Sequence, residues 1–404
     1  MVKPERRTRA DVVAAIAIAA VIAVTAGLVW WTSDARATIS RPAANPVPPL
    51  ITAKAVPSSL KQLWTAPSPK TTAPLVVAAS VVTGDGHTVE GRDPASGSPV
   101  WSYARTDLDL CGVSWVYQYA VAVYPDTRGC GQVSTIDAKT GRRGPARTAY
   151  ADREVRLSSD GTAVLSAGDS RLELWRSDMV RMLSYGALDA KIKPGTPASP
   201  LCLLVSAAAS SATVSVLESC PDQPDLRLTL LRPADDEDTP DLKYVPQSGV
   251  SVDSGAQVVA VSDTTTAVYV PTPNPVVNIV DETGATIAST PLAKPASENA
   301  TMSRAGDLIT WWTGDSVMVF SANGLQYKYT VAPAGANIPL GPATVMAGRL
   351  LVPVTGGYDV FDPGSGKGDR HIPVPRPPGT APVVPAVAGS TVLEQRGDEL
   401  VALG

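Results

Sequence analysis

Four cysteines, two histidines, one acidic run and one aromatic triplet hold most of the chemistry that this 404-residue sequence offers. Cys111 and Cys130 lie 19 positions apart, Cys202 and Cys220 lie 18 apart, and the two sets are offset by 91 and 90 positions. Four cysteines allow three pairings. The matched spacing favours Cys111 with Cys130 and Cys202 with Cys220, in equivalent places of a repeating fold. Disulfides belong to oxidising compartments; four buried free thiols are the alternative.

His87 and His371 are too few for a His-rich metal site, and no Gly-x-Ser-x-Gly elbow accompanies either of them. Both read as partly exposed surface residues. Asp235-Asp236-Glu237-Asp238 supplies the oxygen ligands that calcium prefers. It lacks the alternating spacing and turn glycine of a calcium loop and reads as a solvated charge run. The groups that acid-base chemistry uses most are nearly absent. No catalytic, metal or cofactor site is expected, and the chain reads as a non-enzyme.

Trp115-Val116-Tyr117-Gln118-Tyr119 is the better lead to a binding surface. Period-2 alternation in one strand would set Trp115, Tyr117 and Tyr119 on a single face close to Cys111. Aromatic anchors on a rigid rim suit an interaction surface; packing between sheets is the alternative. Trp311 and Trp312, being adjacent, would point to opposite faces.

The elements that must position these residues are short strands. In VEGRDPASGSPVW, residues 89 to 101, Asp93 can accept hydrogen bonds from the amides of a turn, Pro94 presets φ, and Gly97 can take a positive φ. Similar corners stand at Asp137–Gly141, Asp281–Gly284 and Asp362–Gly366, with a weaker copy at Ser321–Gly324. The steps from Asp93 to Asp137, Asp281 to Ser321 and Ser321 to Asp362 are 44, 40 and 41 residues, the period of a four-stranded propeller blade. Two missing corners fall near Trp175-Arg176 and Leu231-Arg232. Thr72-Ala73-Pro74 returns as Thr380-Ala381-Pro382, 308 residues on, or seven steps of 44. Eight blades follow, with seven the alternative. The last unit lacks its final strand, and Lys61-Gln62-Leu63-Trp64 supplies it, closing the ring and removing a free edge.

The pattern Thr-Ala-Pro-x-Val-Val, the Gly84-Asp85-Gly86 hairpin and the Asp-x-x-x-Gly-x-x-x-Trp corner resemble the quinoprotein-type, or PQQ-like, β-propeller repeat over residues 60–404. The resemblance implies an all-β propeller fold. A quinone site of that family would also need an adjacent cysteine pair, which this sequence lacks, so no cofactor is implied. Judged by its Ala/Val-rich apolar run at 12–31 and its Pro/Ala-rich stretch at 32–59, the whole chain resembles an actinobacterial single-pass membrane protein of unassigned function.

Composition agrees with an all-β domain outside the cytoplasm: 37 Pro and 32 Gly punctuate Val-rich strands, and a net charge of −4 gives no basic footprint for nucleic acid. Ahead of it, residues 12–31 form an uncharged run long enough to cross a bilayer as a helix. Residues 1–11 carry Lys3, Arg6, Arg7 and Arg9, and Trp30-Trp31 end the run, which places the N-terminus in the cytoplasm. Cleavage after Ala37, as a signal peptide, is the alternative. Residues 32–59, rich in Pro and Ala, read as a semi-extended spacer. Two function classes remain: a membrane-anchored, non-catalytic scaffold docking an envelope protein, and a receptor for a glycan or lipid held in the propeller funnel.

Overall fold

The computed structural model describes residues 8–187, 201–211, 213–232, 240–377, 379–380 and 382–404. The chain from Gln62 onward forms eight four-stranded antiparallel blades around a ring. From the axis outward, blade 1 is Leu75–Val77, Ser80–Asp85, Thr88–Arg92 and Pro99–Arg105; blade 2 is Gly112–Val116, Tyr119–Asp126, Gly129–Asp137 and Arg143–Thr148. Blade 3 spans Arg156–Ser159 to Arg181–Gly186, blade 4 Leu203–Ser210 to Asp241–Pro246, blade 5 Gln257–Val261 to Thr286–Pro291, blade 6 Thr301–Ala305 to Tyr327–Val331, and blade 7 Thr344–Met346 to Gly368–Pro373. Blade 8 has Val383–Ala388, Thr391–Arg396 and Glu399–Leu403, and takes its outer strand, Gln62–Pro67, from the other end of the propeller. Lys61 and Gly404 exchange two backbone hydrogen bonds of 2.9 Å at this closure. The count is eight, and the expected closing strand is in place.

Period-2 strands rich in Val and Ala bury both faces, because each sheet is covered by the blades on either side. One core cluster, for example, joins Val82, Val89 and Tyr103 of blade 1 to Ala120, Ala122 and Tyr124 of blade 2.

The corners form as their residue types dictate. Asp93 accepts from the amides of Ala95 and Ser96 at 3.1 and 2.8 Å, and Gly97, at φ +71°, donates to Asp93 O at 2.8 Å. Asp137 and Asp362 cap their turns in the same way. What the repeat does not reveal by itself is that each such corner receives a side chain from the outer strand of the preceding blade. Trp101 of blade 1 donates its Nε1 to Ala138 O of the blade 2 corner at 2.8 Å, and a Cβ on Gly141 would lie 2.4 Å from the tryptophan. Trp64 of blade 8 does the same to Pro94 O at 2.9 Å, over Gly97. Tyr329 of blade 6 donates to Pro363 O at 3.0 Å, over Gly366. In blade 4 the aliphatic Val245 takes this place over Gly284.

Other seams are closed by buried carboxylates. Arg147 of blade 2 reaches Glu173 of blade 3 at 2.9 Å and the corner carbonyl of Met179 at 2.7 Å. Tyr185 of blade 3 donates to Glu218 of blade 4 at 2.9 Å, where Arg227 completes the pair. Arg376 holds the carbonyls of Val354 and Gly357 in blade 7 and donates to Glu394 of blade 8 at 2.6 Å, with Arg396 on the other carboxylate oxygen. Burial alone would raise the Glu394 pKa, yet Arg376 and Arg396 hold it below the usual carboxylate range. Asp160 in the first hairpin of blade 3 is also held low. Burial is again outweighed, here by the amides of Ser211 of blade 4, Thr162 and Ala163.

Residues 32–59 correct the sequence reading, since much of the expected spacer lies bound to the ring. After the apolar helix Arg9–Thr32 comes a single turn, Asp34–Ala37, and then Thr38–Arg41, which pairs with Pro99–Arg105 as a fifth strand of blade 1. Ala43 and Val47 donate to Thr140 O and Lys139 O, Arg370 donates to Val56 O, and Val47 and Val56 are buried. Proline suits this course because its fixed φ keeps a segment extended with little entropy to lose. The few valines and Leu50 give the segment apolar surface to bury.

Two outcomes test these contacts. Trp101, 2% exposed, should lose about 4 kcal/mol on replacement by Ala. The half-buried Trp64 should lose about 2 kcal/mol on the same change. Both are read from urea unfolding; losses no larger than those of exposed controls contradict the docking role. With Glu394 and Asp160 held below their ordinary pKa, their stabilisation is complete above about pH 5 and fades as the pH falls through the folded-state values. Glu394→Gln strands two largely buried guanidinium groups and should cost about 3 kcal/mol at pH 7. The gap from wild type should narrow below pH 4, and a gap independent of pH argues against the clasp.

Candidate binding cleft at the disulfide rim

The ring has two faces. One carries the hairpin turns after the first and third strands, including the corners. The other carries the turns after the second strands and the links between blades. Both disulfides are on this second, connection face. Cys111 precedes Gly112–Val116 and bonds Cys130 in the third strand of blade 2; Cys202 precedes Leu203–Ser210 and bonds Cys220, just after Thr213–Ser219 of blade 4. They are equivalent staples, as the spacing indicates, and no cysteine is free. Cys202, Glu218 and Cys220 lie within 4.8 Å of one another, a grouping that could hold a metal were the thiols reduced. The disulfide consumes those ligands, and Glu218 is committed to Arg227 and Tyr185.

The aromatic triplet is not one surface, which corrects the sequence reading. The chain reverses at Tyr117, whose φ is +47°, so Trp115 stands one residue from the end of the inner strand of blade 2 while Tyr119 begins the second. The strand crosses the thickness of the ring, so the turn lies on the opposite face from Cys111. Trp115 packs on Gly161 of blade 3, Tyr119 packs on Gly144 of its own blade, and Tyr117 alone is exposed. Trp311 and Trp312 do face opposite ways, one towards Tyr269 of blade 5 and one towards Pro339 O. His87 is exposed in a hairpin turn; His371 is half-exposed, with Nδ1 2.7 Å from Asp359, which also accepts from Asn337. The acidic run at 235–238 lies outside the described residues.

A cleft of about 430 Å³ opens on the connection face between blades 2 and 3. It is lined by Thr127, Arg128 and Gly129 from the turn after the second strand of blade 2, by Tyr150–Arg153 from the link between the blades, and by Ser170, Arg171 and Ala187 of blade 3. The walls are stiff for identifiable reasons. Gly129, at φ +107°, lies so near the Ala151 carbonyl that a Cβ would meet it at 1.9 Å. The neighbouring Cys130 is pinned by its disulfide, and its amide donates to Asp152 O at 2.9 Å. The Asp152 carboxylate is spent on the amides of Ser170 and Arg171, both at 3.0 Å, and on the Ser170 hydroxyl at 2.6 Å.

Three arginines also line the cleft, two of them, Arg128 and Arg171, ion-paired. Arg128 stacks over Tyr150 at 4.8 Å and pairs with Asp126, whose hydrogen bond raises the arginine pKa further. Arg171 is 9% exposed and donates to Glu173 and to Ala187 O, while its Nε has no partner. Arg153 has no side-chain hydrogen bond or ion pair among the described residues. Spacing of the cysteines pointed to this rim, whereas three arginines from three separate loops carry no sequence signal.

No family model matches the chain, and no curated protein matches it either. Solved structures do. A computationally designed protein, Ika8, covers 88% of this chain and 99% of itself at 11% identity and TM-score 0.51. The C-terminal WD40 domain of Sif2 covers 87% of this chain and 99% of itself at 11% identity and TM-score 0.54. At such identity the likeness establishes the fold, a β-propeller, and nothing about activity.

Replacing Cys111 and Cys130 together by Ser should lower the unfolding free energy by about 3 kcal/mol, and non-reducing peptide mapping should recover the 111–130 and 202–220 pairs. Crossed pairs, or a double variant as stable as wild type, contradict the account of the rim.

Proposed function

We propose that the protein is a membrane-anchored, extracytoplasmic and non-catalytic interaction scaffold that docks a protein partner in the cell envelope. One observation carries the reading. An apolar helix with no buried residue runs within a few positions into a strand hydrogen-bonded to blade 1. Its 24 residues span about 36 Å, enough for a bilayer core. Trp30 and Trp31 end it where an aromatic belt belongs, with Arg36 stacked 3.6 Å from the Trp31 centroid. Ala37 O accepts from Thr106, and Asp34 pairs with Arg105 at 3.2 Å. The basic residues before the helix support a cytoplasmic N-terminus, and two disulfides suit an oxidising compartment.

A propeller commonly serves as a rigid frame for interactions, and the scarcity of histidine, two in the whole chain, supports a non-enzymatic role. The PQQ-like descent of the repeat is supported by the corners, and the anchor and linker composition supports the likeness to actinobacterial membrane proteins. The partner is read as an envelope protein because the tether would leave the propeller no reach beyond the membrane surface.

Membrane fractions should contain peptides from upstream of Thr38, and a reporter active only outside the cytoplasm should work when fused after Gly404. A mature N-terminus at Thr38, or a reporter active only inside, overturns the anchored scaffold.

A further inference from the structure

We propose that the cleft between blades 2 and 3 is a binding site for a phosphate-bearing ligand. Its volume, about 430 Å³, falls in the range of small-ligand sites. It is lined by three arginines, whereas the carboxylate that lines it, Asp152, already accepts three hydrogen bonds from Ser170 and Arg171. The guanidinium fork matches phosphate geometry, and charge-assisted hydrogen bonds of this kind are the strong ones. Arg153 has no side-chain hydrogen bond or ion pair among the described residues, and Arg128, exposed, is held over Tyr150. The disulfide at Cys130 and the close approach at Gly129 keep the walls in place before a ligand arrives, which lowers the entropy lost on binding.

Position narrows the source to two. Thr38 pairs with Arg105, at the end of the outer strand of blade 1 that meets the connection face, so the apolar helix joins the ring on the face that carries the cleft. A phosphate ester reaching this site is then either a lipid headgroup or a soluble compound at the membrane surface. The inference goes beyond the scaffold reading and stands without it, since the cleft does not depend on whether the helix is retained.

The test uses the full chain in a neutral detergent, titrated with inorganic phosphate and with glycerol 3-phosphate while the melting temperature is followed. A saturable rise is expected. Arg128→Ala with Arg153→Ala should weaken the apparent affinity about tenfold or more, while the charge-matched control Arg304→Ala with Arg349→Ala leaves it unchanged. Wild-type melting without ligand certifies the fold of each variant. Arg153→Ala alone, which breaks no hydrogen bond or ion pair among the described residues, serves if the double variant is unstable. A wild-type response that does not saturate, or equal weakening by both doubles, overturns the proposal. Repeating the titration in nanodiscs of phosphatidylcholine with and without phosphatidylglycerol separates the sources. Competition by phosphatidylglycerol, or a titration in either nanodisc weaker than that in detergent, assigns the headgroup, and titrations identical to that in detergent assign a soluble phosphate ester.

Discussion

A donor on the outer strand of one blade, set on the corner of the next, is the contact on which this ring depends. Sheet-on-sheet burial is strong but non-directional, and by itself it would let neighbouring blades slide. The bonds from Trp101 to Ala138 O, Trp64 to Pro94 O and Tyr329 to Pro363 O fix that freedom, because each needs an indole or phenol group at one place over a glycine. The seams without a docked ring use other devices. Arg147 performs the same reach to Met179 O while pairing with Glu173. Glu218 and Glu394 clasp two more seams, Val245 packs on Gly284, and blades 5 and 6 meet through Tyr269 and Trp311, 5.3 Å apart.

This division of labour explains how much of the fold is legible in the sequence. The corners at Asp93, Asp137, Asp281 and Asp362 carry Gly because a ring or an aliphatic group must lie against them, and that need writes the Asp-x-x-x-Gly signature. Where an arginine or carboxylate closes the seam instead, the glycine is not required and the repeat fades. The third strands ending at Arg176 and Arg232 mark such places. Blade count, closure and disulfide pairing follow from spacing alone. The aromatic triplet misleads, because alternation cannot distinguish one long strand from a hairpin whose turn admits Tyr117 at positive φ. The cleft is silent for a different reason: Arg128, Arg153 and Arg171 stand on separate loops, and only the ring brings them together.

The N-terminal segment shows the same limit from the other side. A Pro/Ala-rich stretch has one composition whether it is free or docked, and the deciding feature is a handful of apolar residues whose partners lie far along the chain. Val56 enters a cluster with Tyr358 and Leu403, and Leu50 packs beside Leu393 and Leu400. Once Thr38–Arg41 is paired with blade 1, little slack is left between helix and ring. Orientation then becomes a property of the fold and not of a tether.

The placement of the disulfides follows from the seams they adjoin. Blades 2, 3 and 4 meet through Glu173 and Glu218, and buried ion pairs contribute little net stability because the charges lose their hydration. A covalent staple acts on a different quantity, the freedom of the unfolded chain. Blade 2 carries Cys111–Cys130 and blade 4 carries Cys202–Cys220, so the two flank blade 3 where the docked rings are missing. Both stand on the connection face, opposite the corners. The Cys111–Cys130 staple also adjoins Gly129, which lines the arginine-bearing cleft between blades 2 and 3.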